Sequence, residues 1–194
     1  MYRLLIGFAL GAAGGIVAGI ILGYFDAAYE MLEVLVDLFR SVPVMCLFPL
    51  FLIVFGLGDP SKFAIGAWSS GLIVLVSTMY GVRRGKKGRL LVARALGATR
   101  FQLISKIVLP EAAPDFLVGF RQGISIALIV IVIAEMFMGT FTGLGQRIYD
   151  SALTYRIPEM YASILVTGLL GYAVNKAFDV LGGRIVHWTR AQIQ

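Results

Sequence analysis

Charged residues are scarce in this sequence, and cysteine and histidine are nearly absent. Of its 194 residues, 14% are Asp, Glu, Lys or Arg, whereas 59% are hydrophobic. The apolar residues form runs that are too long for one small core, which excludes an ordinary soluble domain and indicates a membrane protein. Cys46 is the one cysteine, so the sequence excludes an internal disulfide and lacks the clustered ligands of a metal site. We expect it to be a small packing residue.

Five apolar segments are long enough to cross a hydrocarbon core of about 30 Å as helices. They predict an all-α, polytopic membrane protein in which residues 1–194 form a single transmembrane domain. An odd number of spans places the two termini on opposite sides of the membrane. The predicted spans are 4–25, 42–57, 63–80, 116–138 and 161–181.

The first span carries a glycine at every fourth position. Residues at this spacing share one stripe of a helix, and glycines there let a second backbone approach closely. Because the stripe needs a partner and five helices enclose a pore poorly, we expect an oligomer. A secretory signal peptide is the alternative for this segment, although the run is long for one and lacks a small-x-small cleavage site. The stripe consists of Gly7, Gly11, Gly15, Gly19 and Gly23.

The stretch after the first span contains an acidic helix and then two prolines. Four carboxylates at spacings of four, three and four share one face of a predicted amphipathic helix. Nothing nucleophilic or metal-binding accompanies them, so the solvated face of an interfacial helix is favoured over acid–base chemistry. Pro43 and Pro49 predict a kinked or broken second span, which either lines a pathway or only fits its neighbours. The carboxylates are those of Asp26, Glu30, Glu33 and Asp37.

Residues 81–110 form a strongly basic segment without acidic side chains between the third and fourth spans. Lys and Arg beside spanning helices stay in the cytoplasm, so this loop is predicted to lie inside and the N-terminus outside. Lys176, Arg184 and Arg190 flank the last span and agree with a cytoplasmic C-terminus. The basic residues of the loop are Arg83, Arg84, Lys86, Lys87, Arg89, Arg94, Arg100 and Lys106.

Two short helices joined by a bend are predicted inside this loop. A helical pattern ends at Gly97, which can adopt the left-handed conformation of a helix C-terminus. Thr99 and Gln102 match a capping box for a second helix, which Leu109 and Pro110 are expected to end. The second helix carries an apolar face, which needs a partner on the aqueous side of a membrane. That face consists of Phe101, Ile104 and Val108.

Ionisable and hydroxyl side chains near the ends of the spans are candidates for the lining of a pathway. Glu135 lies in the fourth span, where a carboxylate is costly unless it faces a cavity or a partner. The alternative is a Glu close enough to the interface to be solvated. The spans contain no credible nucleophile–base pair or metal-ligand cluster, which argues against an intramembrane enzyme. The candidates are Ser77 and Thr78 near the inner ends and Glu135, Thr140 and Thr142 near the outer ends.

The loop contains Ala93, Gly97, Ile107, Leu109 and Pro110 at fixed intervals. Their spacing resembles the EAA motif of ABC-transporter permeases, EAA-x3-G-x9-I-x-LP. The Gly-to-Ile and Ile-to-Pro intervals match without a gap, whereas Leu91 stands where the motif has Glu.

The resemblance covers nearly the whole chain and is to the branch of the family that imports nitrate, sulfonates, taurine and related small solutes. Members usually have a further spanning helix before the segment that begins here at Leu4. The stretches that carry the resemblance outside the loop are Pro43 and Pro49 with Phe55-Gly56-Leu57-Gly58, Ala134-Glu135-Met136, and Gly143-Leu144-Gly145.

This resemblance implies the type I ABC importer permease fold and a non-catalytic subunit in a bacterial inner membrane. It implies a homodimer that works with a separate ATP-binding subunit and with a periplasmic or lipid-anchored solute-binding protein. ATP would bind the partner subunit, so no cofactor is expected on this chain, and no nucleic-acid partner is expected. The loop would be a coupling helix that docks on the ATPase, with a tip formed by Ala95, Gly97, Ala98, Thr99, Arg100 and Phe101.

A self-contained channel or secondary transporter is the alternative function. On that hypothesis the basic loop would serve only topology and contact with anionic lipid. A phosphate-binding loop in residues 81–87 is not supported, because the spacing is wrong and Lys86 lacks a following Ser or Thr.

Overall fold

The described part of the chain is built from α-helices joined by short turns. In the computed structural model these residues are 1–84, 89–140 and 142–185, and no β-strand occurs among them. This confirms the predicted all-α fold. The helices are α1 (Tyr2–Tyr24), α2 (Asp26–Ser41), α3 (Phe48–Phe55), α4 (Asp59–Arg84), α5 (Arg89–Ala95), α6 (Arg100–Leu103), α7 (Leu109–Phe137), α8 (Leu144–Leu153) and α9 (Ile157–Ile185).

Part of the basic loop and of the C-terminal tail lies outside the described residues. Lys86, Lys87 and Arg190, which contribute to the predicted orientation, belong to this part. Several further side chains of these segments also lie outside the description, namely those of Arg89, Leu91, Arg100 and Arg184.

Within the described residues, four continuous helical stretches are long and apolar enough to cross a membrane. Three of them, α1, α4 and α9, correspond to the predicted spans 4–25, 63–80 and 161–181. The fourth is Phe101–Phe137, which extends the predicted span 116–138 far into the basic loop. The number of candidate spans is five if a bent pair formed by α2 and the segment after it counts as one.

The predicted span 42–57 is not one straight helix. Pro43 precedes a short 3₁₀ turn, Val44–Leu47, and α3 then has only eight residues with Pro49 in its first turn. Eight residues extend for about 12 Å, which is too short to cross a membrane alone. Instead, α2 and the segment Val44–Phe55 form one pair bent by 92°. The prolines break the helix as predicted, and this segment reaches the length of a span only when it is counted together with α2.

Helix α2 lies along α4, whereas the sequence predicts an interfacial helix for this segment. At its start, Arg83 donates to the Asp26 carboxylate over 3.2 Å. Farther along, the Phe39 ring packs edge to face on Trp68, with 5.2 Å between ring centroids. Val36 is buried, and the two helices run antiparallel. Three of the four α2 carboxylates are exposed, as predicted for a solvated face, and apolar residues of the helix such as Met31 and Leu38 are exposed as well.

The glycine stripe of α1 packs directly against α4, and these two helices run parallel. A methyl group added at Gly15 would lie 2.6 Å from the carbonyl oxygen of Gly71, and one at Gly19 would lie 2.6 Å from that of Leu75. Both distances are shorter than van der Waals contact, so only glycine permits this approach of the backbones. We call this contact the glycine seam. The stripe has its partner within the chain, so it gives no reason to expect an oligomer, and the oligomer stays a prediction.

Replacing Gly15 by alanine should destabilise the bundle, whereas replacing the adjacent Gly14 should not. A methyl group at Gly14 meets no atom within 4 Å, and alanine is the better helix former. Overpacking at Gly15 is expected to cost about 1–3 kcal/mol of unfolding free energy. Thermal unfolding of the two detergent-solubilised variants measures the difference, and equal midpoints would contradict the seam.

Helix α4 is the centre of the bundle. It contacts α1 through the glycine seam, α2 and α3 on another side, and α7 on a third, so that Ile65 and Val74 are completely buried. Helix α9 packs on α7 and α8 but leaves large apolar side chains such as Leu165 and Tyr172 exposed. The functional candidates lie at the two ends of this bundle.

Candidate functional site

The two ends of the bundle carry most of the predicted residues. We call the end at which α4 ends and α5 begins the loop end, and the end at which α1 and α4 begin the Arg3 end. Helix α7 connects them, because it begins near the turn between α5 and α6, which we call the helix corner, and it ends beside Arg3.

The helix corner at the loop end begins with a helix C-cap at Gly97. Gly97 has φ +83°, in the left-handed region. The Ala98 N–H donates to the Ala93 carbonyl and the Gly97 N–H to the Arg94 carbonyl, both over 3.0 Å. This pair of bonds is the Schellman pattern that ends a helix. The predicted stop at Gly97 is confirmed.

An N-terminal capping box follows immediately. The Thr99 N–H donates to Gln102 Oε1 over 2.9 Å, and the Gln102 N–H donates to Thr99 Oγ1 over 3.3 Å. These reciprocal bonds confirm the predicted capping box. Because both caps use only neighbouring residues, the corner between α5 and α6 is specified locally.

The second helix of the corner does not end at Leu109 and Pro110, so that prediction is wrong. Ile104–Val108 is a π-helix, in which the Leu109 N–H donates to the Ile104 carbonyl, and α7 continues directly from it. Pro110 occupies the first turn of α7, where a missing N–H costs little. The corner is therefore joined to the long span without a break in the helical chain.

Several predicted docking residues pack inside the chain. Ala93, Ala98 and Ile107 contact a buried cluster at the loop end that includes Tyr24 and Leu103. These side chains position the corner. Within the predicted set, the half-buried members are Ala93, Ala98, Ile107 and Leu109, and the exposed members are Ala95, Gly97, Thr99, Phe101 and Pro110.

The predicted apolar face of the second helix is only partly exposed. Val108 is buried with Ile104 packed beside it, whereas Phe101 is 79% exposed. The π-helical turn changes the angle between successive side chains around the helix axis. Phe101 and Val108, which are seven residues apart, therefore need not share a face. The pattern did not single out two further exposed apolar residues, Val92 in α5 and Leu96 in the turn that directly follows it. We call Val92, Leu96 and Phe101 the loop-end apolar residues.

Arg3 forms a buried ionic network at the opposite end. Its Nη1 lies 2.6 Å from Glu135 Oε1, and its Nε lies 2.7 Å from Asp59 Oδ1. Nη1 also donates to the Thr142 carbonyl over 2.6 Å and Nη2 to the Thr142 hydroxyl over 3.2 Å. Arg3 is 6% exposed and Glu135 is 7% exposed. One guanidinium thus joins α1, α4, α7 and the connection after α7.

Two further buried contacts complete this end. Glu135 Oε2 accepts a hydrogen bond from the Gly145 N–H over 3.0 Å, in the first turn of α8, where the helix dipole favours a carboxylate. The fully buried Lys62 donates to the carbonyls of Gly58 and Gly139 over 2.9 and 3.1 Å. The sequence pattern did not identify α8 as a helix, and its orientation follows from the Glu135 contact.

The structure brings the three outer pathway candidates together. Glu135 and Thr142 both bind Arg3, and the Thr140 hydroxyl donates to the Thr142 carbonyl over 3.0 Å. Glu135 therefore faces a partner, which is one of the two settings expected for it. Among the described residues, no group of three His, Cys, Asp or Glu is arranged to hold a metal ion.

The inner candidates lie between helices. A methyl group added at Gly119 of α7 would lie 2.7 Å from Ser77 Cβ, so Ser77 faces α7. Thr78 is completely buried and packs against Gly19 in the glycine seam. Both positions are helix–helix contacts, and a role in a pathway stays a prediction for each.

Arg3 and Lys62 are central to this end, yet the sequence pattern did not single them out. Arg3 precedes Gly7 by four residues and so continues the glycine stripe, and Lys62 precedes the buried Gly66 by four. A charged residue in register with a buried stripe must be buried with it and therefore needs partners. This register is the signal that could have identified both residues.

Replacing Arg3 by methionine should strongly destabilise the chain. The substitution leaves the buried Glu135 carboxylate without its cation, and breaking one side of a buried pair costs about 3–5 kcal/mol. Arg40→Met is the matched control, because Arg40 pairs with Asp37 on the exposed surface, where a pair contributes at most about 1 kcal/mol. Unfolding midpoints in detergent test this, and equal shifts in both variants would contradict it.

The fold and its two ends define a polytopic helical membrane protein with a capped helix corner at one end and a buried ionic network at the other. Residues 15–191 match the family described as "Binding-protein-dependent transport system inner membrane component". The chain belongs to this family and is a permease component of the ABC importer type.

Two curated relatives illustrate the similarity. The chain is 31% identical over 188 residues to a Bacillus subtilis permease protein named for aliphatic sulfonates transport, which covers 97% of this chain and 68% of the relative. It is 29% identical over 174 residues to the taurine transport system permease protein of Escherichia coli, covering 90% of this chain and 63% of the relative.

A solved structure supports the fold. The chain superposes on a permease chain of an inward-facing MetNI methionine ABC transporter with a TM-score of 0.80, covering 95% of this chain and 94% of that one. The two sequences are 19% identical, so this likeness concerns the fold. The chain has the type I ABC importer permease fold that the resemblance predicts.

Proposed function

We propose that this chain is the membrane-spanning subunit of an ABC importer and that its helix corner couples it to a separate ATP-binding subunit. The observation that carries this proposal is the corner itself, which is capped on both sides and leaves Val92, Leu96 and Phe101 exposed. Large exposed apolar side chains on a polar loop favour a protein partner. The EAA-like spacing around Gly97 supports an ATP-binding subunit as that partner.

Movement of the corner would reach the opposite end along one helix. Phe101–Phe137 comprises 37 residues, which is about 55 Å at 1.5 Å per residue. Glu135 lies near its far end and binds Arg3. In a homodimer, closure of two ATPases would draw the two corners together and shift the dimer between inward and outward openings.

Charge supports a cytoplasmic position for the loop end. Arg83 and Arg84 end α4, Arg94 lies in α5, and Lys106 lies in the π segment. Clustered basic residues beside spanning helices stay on the cytoplasmic side of a bacterial inner membrane. The Arg3 end would then face outward, where a periplasmic or lipid-anchored solute-binding protein would deliver the solute.

The proposed solute is a small one of the kind for which relatives are named, such as an aliphatic sulfonate, taurine or nitrate. ATP would be bound by the partner subunit, and this chain would need no cofactor. The proposed pathway residues are Glu135, Thr140 and Thr142 at the outer end and Ser77 and Thr78 toward the inner end.

Replacing Leu96 and Phe101 together by alanine should uncouple the importer while leaving the chain folded. Leu96 is 82% and Phe101 79% exposed, so truncation removes little internal packing. Solute uptake and solute-stimulated ATP hydrolysis in proteoliposomes should fall about tenfold or more, as expected for loss of interface anchors. Leu57→Ala is the matched control, because Leu57 is 80% exposed at the opposite end.

Unchanged coupling in the double variant, or an equal loss in Leu57→Ala, would contradict the docking assignment. The proposed function itself is tested by leaving out the ATP-binding subunit, which should abolish concentrative uptake. Solute flux through the chain alone would instead identify a self-contained channel or secondary transporter.

A further inference from the structure

A cavity of about 430 Å³ opens at the Arg3 end between α1, α7, α8 and α9. Its walls are mainly aliphatic and include Leu128 and Ile131 of α7, Leu144 of α8 and Leu170 of α9. Arg147 of α8 also lines it. The volume is typical of small-ligand sites, which are lined by apolar side chains with a few polar groups. We call it the Arg147 cavity.

The other charged side chains around this cavity are already engaged. The Arg3 guanidinium uses its donors on Asp59, Glu135 and Thr142. Both oxygens of Glu135 accept hydrogen bonds, one from Arg3 and one from the Gly145 N–H. Together with the nearby Lys62 ammonium, the Arg3 guanidinium balances the two carboxylates of Asp59 and Glu135, so the network offers little attraction to a ligand.

Arg147 is different, because its guanidinium has no hydrogen bond or ion pair within the described residues. It also borders a second cavity of about 340 Å³, whose acidic residues are engaged elsewhere. Asp150 accepts from Gln146 Nε2 over 2.6 Å, and Glu159 pairs with Arg156 over 2.9 Å. The exposed Arg147 guanidinium thus has no direct hydrogen-bond or ion-pair partner beside an apolar cavity, and Asp150, the carboxylate three residues along its helix, is bound by a neutral amide.

The backbone that presents Arg147 is held in place. Gly145, two residues earlier, is bound by the buried Glu135 carboxylate, and the Arg147 N–H donates to the Gly143 carbonyl over 3.1 Å. Ser151, one turn later on the same helix, is buried. A fixed helix reduces the ordering cost of binding a ligand at this side chain.

We propose that the Arg147 cavity binds an amphiphilic anion. A sulfonate, phosphate or carboxylate head would pair with the Arg147 guanidinium, whose planar fork suits oxyanions, and an alkyl body would lie against the aliphatic walls. Such a molecule has two sources, a solute on its way through the importer or an anionic membrane lipid. The solute version rests on the proposed function, whereas the lipid version does not.

Binding of hexanesulfonate to the full chain in phosphatidylcholine nanodiscs tests the site, with empty nanodiscs as background. Arg147→Gln should weaken binding about tenfold or more, the usual effect of losing a hydrogen-bonded charge. Arg156→Gln is the matched control and should bind normally, because Arg156 lines only the second cavity. Affinity should rise roughly fourfold per added methylene of the alkyl chain.

A second variant tests the apolar part of the cavity independently. Leu170→Trp should fill the space and weaken hexanesulfonate binding, while leaving the charge of Arg147 in place. Weakening by Arg156→Gln without an effect of Leu170→Trp would place the anion in the second cavity and overturn the proposal. Equal affinity of wild type, Arg147→Gln and Leu170→Trp would also overturn it.

Native mass spectrometry in nanodiscs that contain phosphatidylglycerol distinguishes the two possible sources of the anion, a transported solute and a membrane lipid. A lipid site is identified if wild type retains phosphatidylglycerol, Arg147→Gln loses it, and hexanesulfonate does not displace it. Displacement by hexanesulfonate identifies a solute site, and retention of neither by wild type overturns the proposal. If a variant no longer binds the anion but still supports ATP-driven uptake, the proposed function remains intact and the solute version of the cavity proposal fails. If the chain binds the anion but supports no ATP-driven uptake, the result counts against the proposed function and not against the cavity.

Discussion

The ion pair between Arg3 and Glu135 is the interaction on which the Arg3 end of the bundle depends. Two charges that are almost completely buried are tolerated only when their remaining donors and acceptors are also engaged. Asp59 and Thr142 take the other Arg3 donors, and the Gly145 N–H takes the second Glu135 oxygen. The pair therefore connects three spanning helices with α8 and fixes the surface beside the Arg147 cavity.

The glycine seam and this network reinforce the same contact. The seam brings the backbones of α1 and α4 together, and Arg3 continues its register at one end. Separating α1 from α4 would expose close backbone contacts and break the ion pair between Arg3 and Asp59 at once. Conformational change is therefore favoured at other places, such as the π segment Ile104–Val108 or a surface between this chain and its partners.

Features that depend on neighbouring residues could be predicted from the sequence. The apolar runs, the close-packing stripe and the caps at Gly97 and Thr99 all follow from local spacing. The partner of the stripe and the partner of Glu135 could not, because Arg3 and Glu135 are 132 positions apart. Pro110 illustrates a real ambiguity, since proline is equally compatible with the end of one helix and the first turn of the next.

A double-mutant cycle on Arg3 and Glu135 tests the central claim most directly. The free energies of unfolding of Arg3→Met, Glu135→Leu and the double variant would be measured in the same detergent. If the buried pair organises this end, each single variant loses much stability, and the double variant loses less than their sum by about 1–3 kcal/mol. Additive losses would show that the two side chains stabilise the bundle independently and would contradict the account.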